Sequence, residues 1–162
     1  MRKICIFFVL FTCTAIATAQ GQTTDQGQTT DQGQTTPPAP VDVARSYFEA
    51  MDRKDLAAAE GLFAKSSSIF ETGGNEGDWA HYRDHHIGAE LDAFTRFETS
   101  LGEPETESSS DGTMAFVAWP IAYHIELKDG REIDSRGTVT FVLVGEQGIP
   151  RIRHLHWSSR RK

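Results

Sequence analysis

The chain has 162 residues, 38% of them hydrophobic and 24% charged, and a formal charge of −7. That composition is globular and excludes a collagenous or wholly disordered chain. The acidic balance excludes a general binder of phosphate backbones, so nucleic acid is not an expected partner.

Residues 1–19 read as a secretory signal peptide. Arg2 and Lys3 precede an apolar run from Ile4 to Ile16, and Ala17-Thr18-Ala19 ends the segment. The run is too short to span a bilayer and no second one follows, so no membrane span is expected. Cleavage after Ala19 removes two basic and no acidic residues, which moves the charge from −7 to −9. It also removes both cysteines, Cys5 and Cys13, so the mature chain has no disulfide and no thiolate ligand. The expected location is periplasmic or extracellular.

Residues 20–40 form a low-complexity stretch. A hexad beginning Gly21-Gln22-Thr23-Thr24-Asp25-Gln26 repeats, and Pro37, Pro38 and Pro40 follow. Without a large apolar residue the repeat cannot offset the entropy of ordering, so it reads as a linker. The folded domain is expected over 41–159, with a basic tail at 160–162.

From Val41 to Arg53, Val43, Ala44, Tyr47, Phe48, Ala50 and Met51 recur at helical spacing. Asp55 is placed to cap a second helix over Leu56–Phe63. Ser68–Thr72 reads as a short strand and Gly73–Gly77 as a loop. Asp78 caps a third helix expected from Trp79 to about Thr99, with Ile87, Leu91 and Phe94 as its apolar seam. The acidic stretch Glu103–Glu107 reads as a solvated loop.

The rest reads as β. Met114–Leu127 is a long strand interrupted by Pro120, which points to an edge or a bulge. Asp129-Gly130 marks a two-residue hairpin turn. Arg131–Val144 is the partner strand, with Gly137 free to bend it, and Ile152–Ser158 is the last strand. Helices followed by a strongly bent antiparallel meander give an α+β class, with the helices against one face of a curved sheet.

All six histidines lie in the expected domain. On the third helix His81 and His85 share a solvated face, whereas Tyr82, His86 and Glu90 share another, with Trp79 nearby. On the last strand, alternation groups His154, His156 and Ser158 with Ile152, and Leu155 and Trp157 with the opposite face. A two-residue turn at Asp129-Gly130 pairs His124 with Ser135 and turns His124 inward. Trp79, Tyr82, His86, Glu90, His124, His154 and His156 are therefore the expected pocket residues.

The chain resembles a SnoaL-like domain of the nuclear transport factor 2-like superfamily. The resemblance rests on the helical pair 43–51 and 55–63, the strand Ile69-Phe70-Glu71, the hairpin around Asp129-Gly130 and the ending Ile152–Ser158. It implies a cone-shaped barrel of a strongly bent antiparallel sheet wrapped around N-terminal helices. It also implies an internal pocket, and a homodimer formed through the sheet. The ending His154-x-His156 resembles the last strand of such domains, where these positions tend to face the pocket. The superfamily holds isomerases, cyclases, dehydratases, hydrolases and non-catalytic modules, so fold alone does not choose a function.

The reading adopted is an exported protein that binds a small-molecule ligand in a histidine-lined pocket, without established catalysis. One alternative is a divalent-metal site for zinc or copper built from His86, Glu90, His124, His154 and His156. Another is a cyclase, isomerase or hydrolase using histidine acid/base catalysis, with His86, His154 or His156 as base. A further possibility is an assembly module pairing through Leu155 and Trp157 on the outer sheet face.

Overall fold

The computed structural model describes residues 36–162. The signal peptide expected at 1–19 and the repeat as far as residue 35 lie outside the described residues.

The first helix, α1, runs Pro40–Asp52. Proline suits its first turn, because its fixed φ is helical and the missing N–H had no partner there. Its apolar stripe is buried against the sheet, including Tyr47, Phe48 and Met51 at 1% exposure each. Asp55 caps α2 (Leu56–Glu60) by accepting from the Ala58 amide at 2.9 Å. Asp78 caps the next helical segment in the same way, accepting from the His81 amide at 2.9 Å.

That segment departs from expectation. It consists of α3 (Trp79–Tyr82), a π-helical turn (Arg83–Ile87) and α4 (Gly88–Ala93). It stops at Ala93, because Phe94 is already extended at φ −86°, ψ 139°. Phe94–Leu101 is a strand, β3. Its pairing with the strand Met114–Leu127 slips between Phe94 and Arg96. That bulge places Phe94 and Phe97, three residues apart, both in the core. The spacing therefore looks helical in a segment that is not a helix.

The strands are β1 (Phe63–Glu71), β2 (Gly74–Gly77), β3, β4 (Glu105–Ser108), β5 (Met114–Leu127), β6 (Glu132–Glu146) and β7 (Ile149–Arg161). They form one sheet in the order β2-β1-β7-β6-β5-β3, with β4 also on β5. Only β1 and β7 run parallel; the other pairings are antiparallel. The expected loop at 73–77 thus contains the short strand β2, and the one at 103–107 overlaps β4. Pro120 sits where β5 changes its outer neighbour, since Ile121 pairs with β3 and Ala118 with β4. The sheet is bent but not closed, and α1 packs against β3, β5 and β7. This is the expected α+β architecture.

Two register details decide which side chains face the helices. Between β5 and β6 the Leu127–Arg131 pair closes a loop of three residues, Lys128, Asp129 and Gly130. Leu127 donates to the Arg131 carbonyl at 2.9 Å, and Gly130 takes a positive φ of 84°. A three-residue loop with a left-handed glycine is a standard alternative to the two-residue turn. It moves the register by one, so His124 pairs with Asp134 and Tyr123 with Ser135. In β7 a bulge falls at Arg153, because Leu143 pairs with Ile152 and Val142 with His154. Ile152, Leu155 and Trp157 are consequently all buried. Arg160 and Arg161 still pair with β6, and Lys162 donates its amide to the Asp134 carbonyl.

Candidate functional site

Between α1, the π turn, α4 and the inner face of the sheet lies a cavity of about 60 Å³. On roughly 15 Å³ per water, it has room for a handful of waters or one small organic group. Six aromatic side chains line it: Tyr47, Tyr82, Phe94, Phe97, Tyr123 and Trp157. The two ionisable acids in its wall are Glu71 and Glu90.

Glu71 is the last residue of β1, pairs with Trp157, and lies two positions from the fully buried Ile69. Strand alternation turns both inward and sends Phe70 out. The Tyr82 hydroxyl donates to Glu71 Oε2 at 2.6 Å. Burial raises the Glu71 carboxyl above the ordinary range, and the charges of Glu90 and Glu76 add to this. The Tyr82 hydrogen bond and the His86 charge oppose it. Burial also pushes the Tyr82 and Tyr47 phenols well up, so both are neutral donors at ordinary pH.

His86 stands at the rim. Its Nδ1 lies 2.8 Å from Glu76 Oε2, and its Nε2 lies 3.2 Å from Glu90 Oε1 and 4.0 Å from Glu71 Oε2. Partial burial disfavours its charged form, but the Glu76 hydrogen bond and three carboxylate charges win and raise its pKa. The π turn makes this geometry. It adds one residue to a helical turn, so Tyr82 and Ile87, five apart, both line the cavity. Gly88 permits that turn, because a Cβ there would lie 2.5 Å from the Arg83 carbonyl oxygen.

Of the expected pocket residues, Tyr82 and Glu90 line the cavity and His86 borders it. The other four do not join them. Trp79 stacks on Phe63 in the core, with ring centroids 4.5 Å apart. His124 faces outward, its Nδ1 3.2 Å from Asp134 and its Nε2 3.6 Å from Glu126, because the three-residue loop shifted the register. His154 and His156 face outward because of the Arg153 bulge. His154 Nδ1 bonds the Ser68 hydroxyl at 2.9 Å beside the Phe70 ring, and His156 is exposed. The proposed zinc or copper set is therefore split between two faces of the sheet. Among the described residues no three His, Cys, Asp or Glu side chains form a metal-ligating group. Leu155 and Trp157 are buried at 0% and 6% exposure, so they cannot carry a dimer on the outer face. His81 and His85 are exposed with adjacent rings, as their shared face implied.

Sequence reasoning missed Glu71, Tyr47 and Glu76 as site residues. Glu71 had a signal: an acid two positions after Ile69 on a strand is turned towards the core. The adjacent Phe70 masked the alternation.

The described chain also resembles known structures. An NTF2-like superfamily protein from Salmonella enterica matches with a TM-score of 0.67 at 20% identity, over 75% of this chain and 88% of that one. A candidate ketosteroid isomerase from Shewanella frigidimarina matches with a TM-score of 0.66 at 25% identity, over 76% of this chain and 98% of that one. A candidate aromatic ring hydroxylase from Novosphingobium aromaticivorans matches with a TM-score of 0.68 at 15% identity, over 75% and 90%. A comparison with curated proteins finds no match. The SnoaL-like domain family matches residues 41–161, from the start of α1 to the end of β7. With the helices, the bent sheet and the cavity all inside that span, the chain belongs to the SnoaL-like domain family.

Proposed function

We propose that the protein binds a small, largely apolar organic molecule in the Glu71 cavity. One observation carries this reading: a half-buried carboxyl and its tyrosine donor stand at the wall of a cavity lined mostly by aromatic and aliphatic side chains. Such a chamber offers apolar contact for most of a ligand and one polar pair to orient it. A ligand of five or six heavy atoms should bind at about millimolar Kd, given the energy available per atom. The test is NMR titration of the full chain with cyclopentanone and pyrrolidine, reading the Tyr123 and Trp157 ring signals. Shifts confined to cavity residues, and lost in Ile87→Trp with the fold intact, are expected. If neither probe moves these signals, the reading fails.

A second reading, proton transfer, has its own support. His86 Nε2 lies 4.0 Å from Glu71 Oε2 and is part-exposed, which gives the half-buried carboxyl a route to solvent. A raised carboxyl beside a neutral phenol suits removal of a proton next to a carbonyl. The expected result is accelerated hydrogen–deuterium exchange at the α-carbons of cyclopentanone. The rate should rise with pH as Glu71 ionises, above the ordinary glutamate range, and vanish in Glu71→Gln. Exchange no faster than in buffer alone would remove this reading.

A further inference from the structure

The charges and rings around the cavity point to a class of ligand. Glu71 and Glu90 are in its wall, and Glu76 lies directly behind His86. Three carboxylates thus meet one histidine. That histidine is committed elsewhere: Nδ1 faces Glu76 at 2.8 Å and Nε2 faces Glu90 at 3.2 Å, both closer than Glu71 at 4.0 Å. No lysine or arginine is among the lining residues. Lys54 is close by, but its ammonium donates to the Phe94 carbonyl. Glu71 Oε2 holds the Tyr82 hydroxyl, and among the described residues Oε1 accepts no hydrogen bond. The half-buried carboxylate therefore lacks a full counter-charge and has one oxygen to offer.

The rings supply the second half. Phe94–Phe97, Phe97–Tyr123 and Tyr123–Trp157 are neighbours at 6.0, 6.0 and 5.6 Å between centroids. They make a continuous aromatic arc on the sheet side of the cavity. Ring faces are electronegative and attract organic cations, most strongly where water is excluded. An anionic ligand would meet Glu71 and Glu90 in the wall, with His86 already held between Glu76 and Glu90. A neutral one would offer Glu71 Oε1 no charged donor.

We propose that the cavity is a site for a small organic cation, an alkyl- or cyclic ammonium whose N–H is received by Glu71 Oε1 and whose carbons lie against the aromatic arc. The proposal rests on the small-ligand reading above and narrows it to one chemical class.

Pyrrolidinium and cyclopentanone test it, because they match in size and differ in charge. Both are titrated into the full chain at about pH 9, where pyrrolidinium is still charged. The groups facing Glu71 at that pH are Tyr47, Tyr82, Glu76, Glu90 and His86. Pyrrolidinium should bind at least about tenfold tighter than cyclopentanone. Glu71→Gln should abolish that preference, so that the two probes bind with similar affinity. Because the substitution removes a desolvated charge, the variant should melt no lower than the parent, which separates lost affinity from lost folding. Cyclopentanone binding as tightly as pyrrolidinium would overturn the cation proposal and leave the small-ligand reading standing. A preference for pyrrolidinium that survives in Glu71→Gln would overturn the role given to Glu71. Binding of neither probe would overturn both readings.

Discussion

Phe141→Ala should cost about 3–5 kcal/mol of unfolding free energy. Phe141 is fully buried near the middle of β6. Its ring packs edge-on against Tyr47 at 5.6 Å and Phe48 at 5.5 Å, so it joins the sheet to α1. Truncation removes the apolar transfer energy of a ring and leaves a void. Two bulky α1 side chains and the Trp119 ring on Phe48 cannot easily collapse into it. Phe141→Leu keeps most of the volume and should cost less than half as much. Urea denaturation of both variants checks the pair, and a loss below about 1 kcal/mol in Phe141→Ala would contradict this description of the core. Tyr47 also lines the Glu71 cavity, so Phe141→Ala should weaken the proposed binding beyond its effect on folding.

Gly137→Ala should be nearly as damaging, by about 3 kcal/mol, the upper end of the usual overpacking range. A Cβ on Gly137 would lie 2.1 Å from the Ser158 carbonyl oxygen and 2.8 Å from the Ser159 Cα. These are backbone atoms of β7, so no side-chain rotation relieves the clash. The strands have to separate where Gly137 pairs with Ser159. The Ser159 hydroxyl is 2.8 Å from the Tyr123 hydroxyl, so movement there also disturbs a cavity wall. Gly145→Ala is the control, because the nearest atom to its Cβ would be 4.0 Å away. It should change stability by no more than about 0.5 kcal/mol. Equal effects at the two glycines would show that the close approach at 137 is not what requires glycine there.

The cavity combines features that stability alone would not favour. Burying the Glu71 carboxyl disfavours its ionised form, and no basic side chain is among the lining residues. Replacing such a group by a neutral one is often stabilising. Retaining an acid at the end of β1, with Tyr82 donating to it, trades folding energy for a polar contact inside an apolar space. The fold supplies the space; the acid, the tyrosine and the rim histidine supply its chemistry. Membership of the SnoaL-like family accounts for the first of these and leaves the second to this chain's own residues.

Local signals in the sequence determined much of the architecture. The α1 stripe from Val43 to Met51, the Asp55 and Asp78 caps and the long β5–β6 hairpin each depend on residues close in the chain, and each is present. The grouping of Tyr82, His86 and Glu90 was legible for the same reason. The tertiary structure alone decided which strand faces turn inward. A bulge at Arg153 and a third residue in the 128–130 loop each shift an alternation of period two by one, which reverses a whole face. That reversal sent His124, His154 and His156 outward, buried Leu155 and Trp157, and dissolved the expected metal set. The bulge between Phe94 and Arg96 likewise gave a strand the spacing of a helix. Glu71 became a site residue only when β1 paired with β7 and α3 brought the Tyr82 hydroxyl to its carboxylate. Caps and stripes are set within a few residues, whereas register is set by hydrogen bonds between segments far apart in the chain.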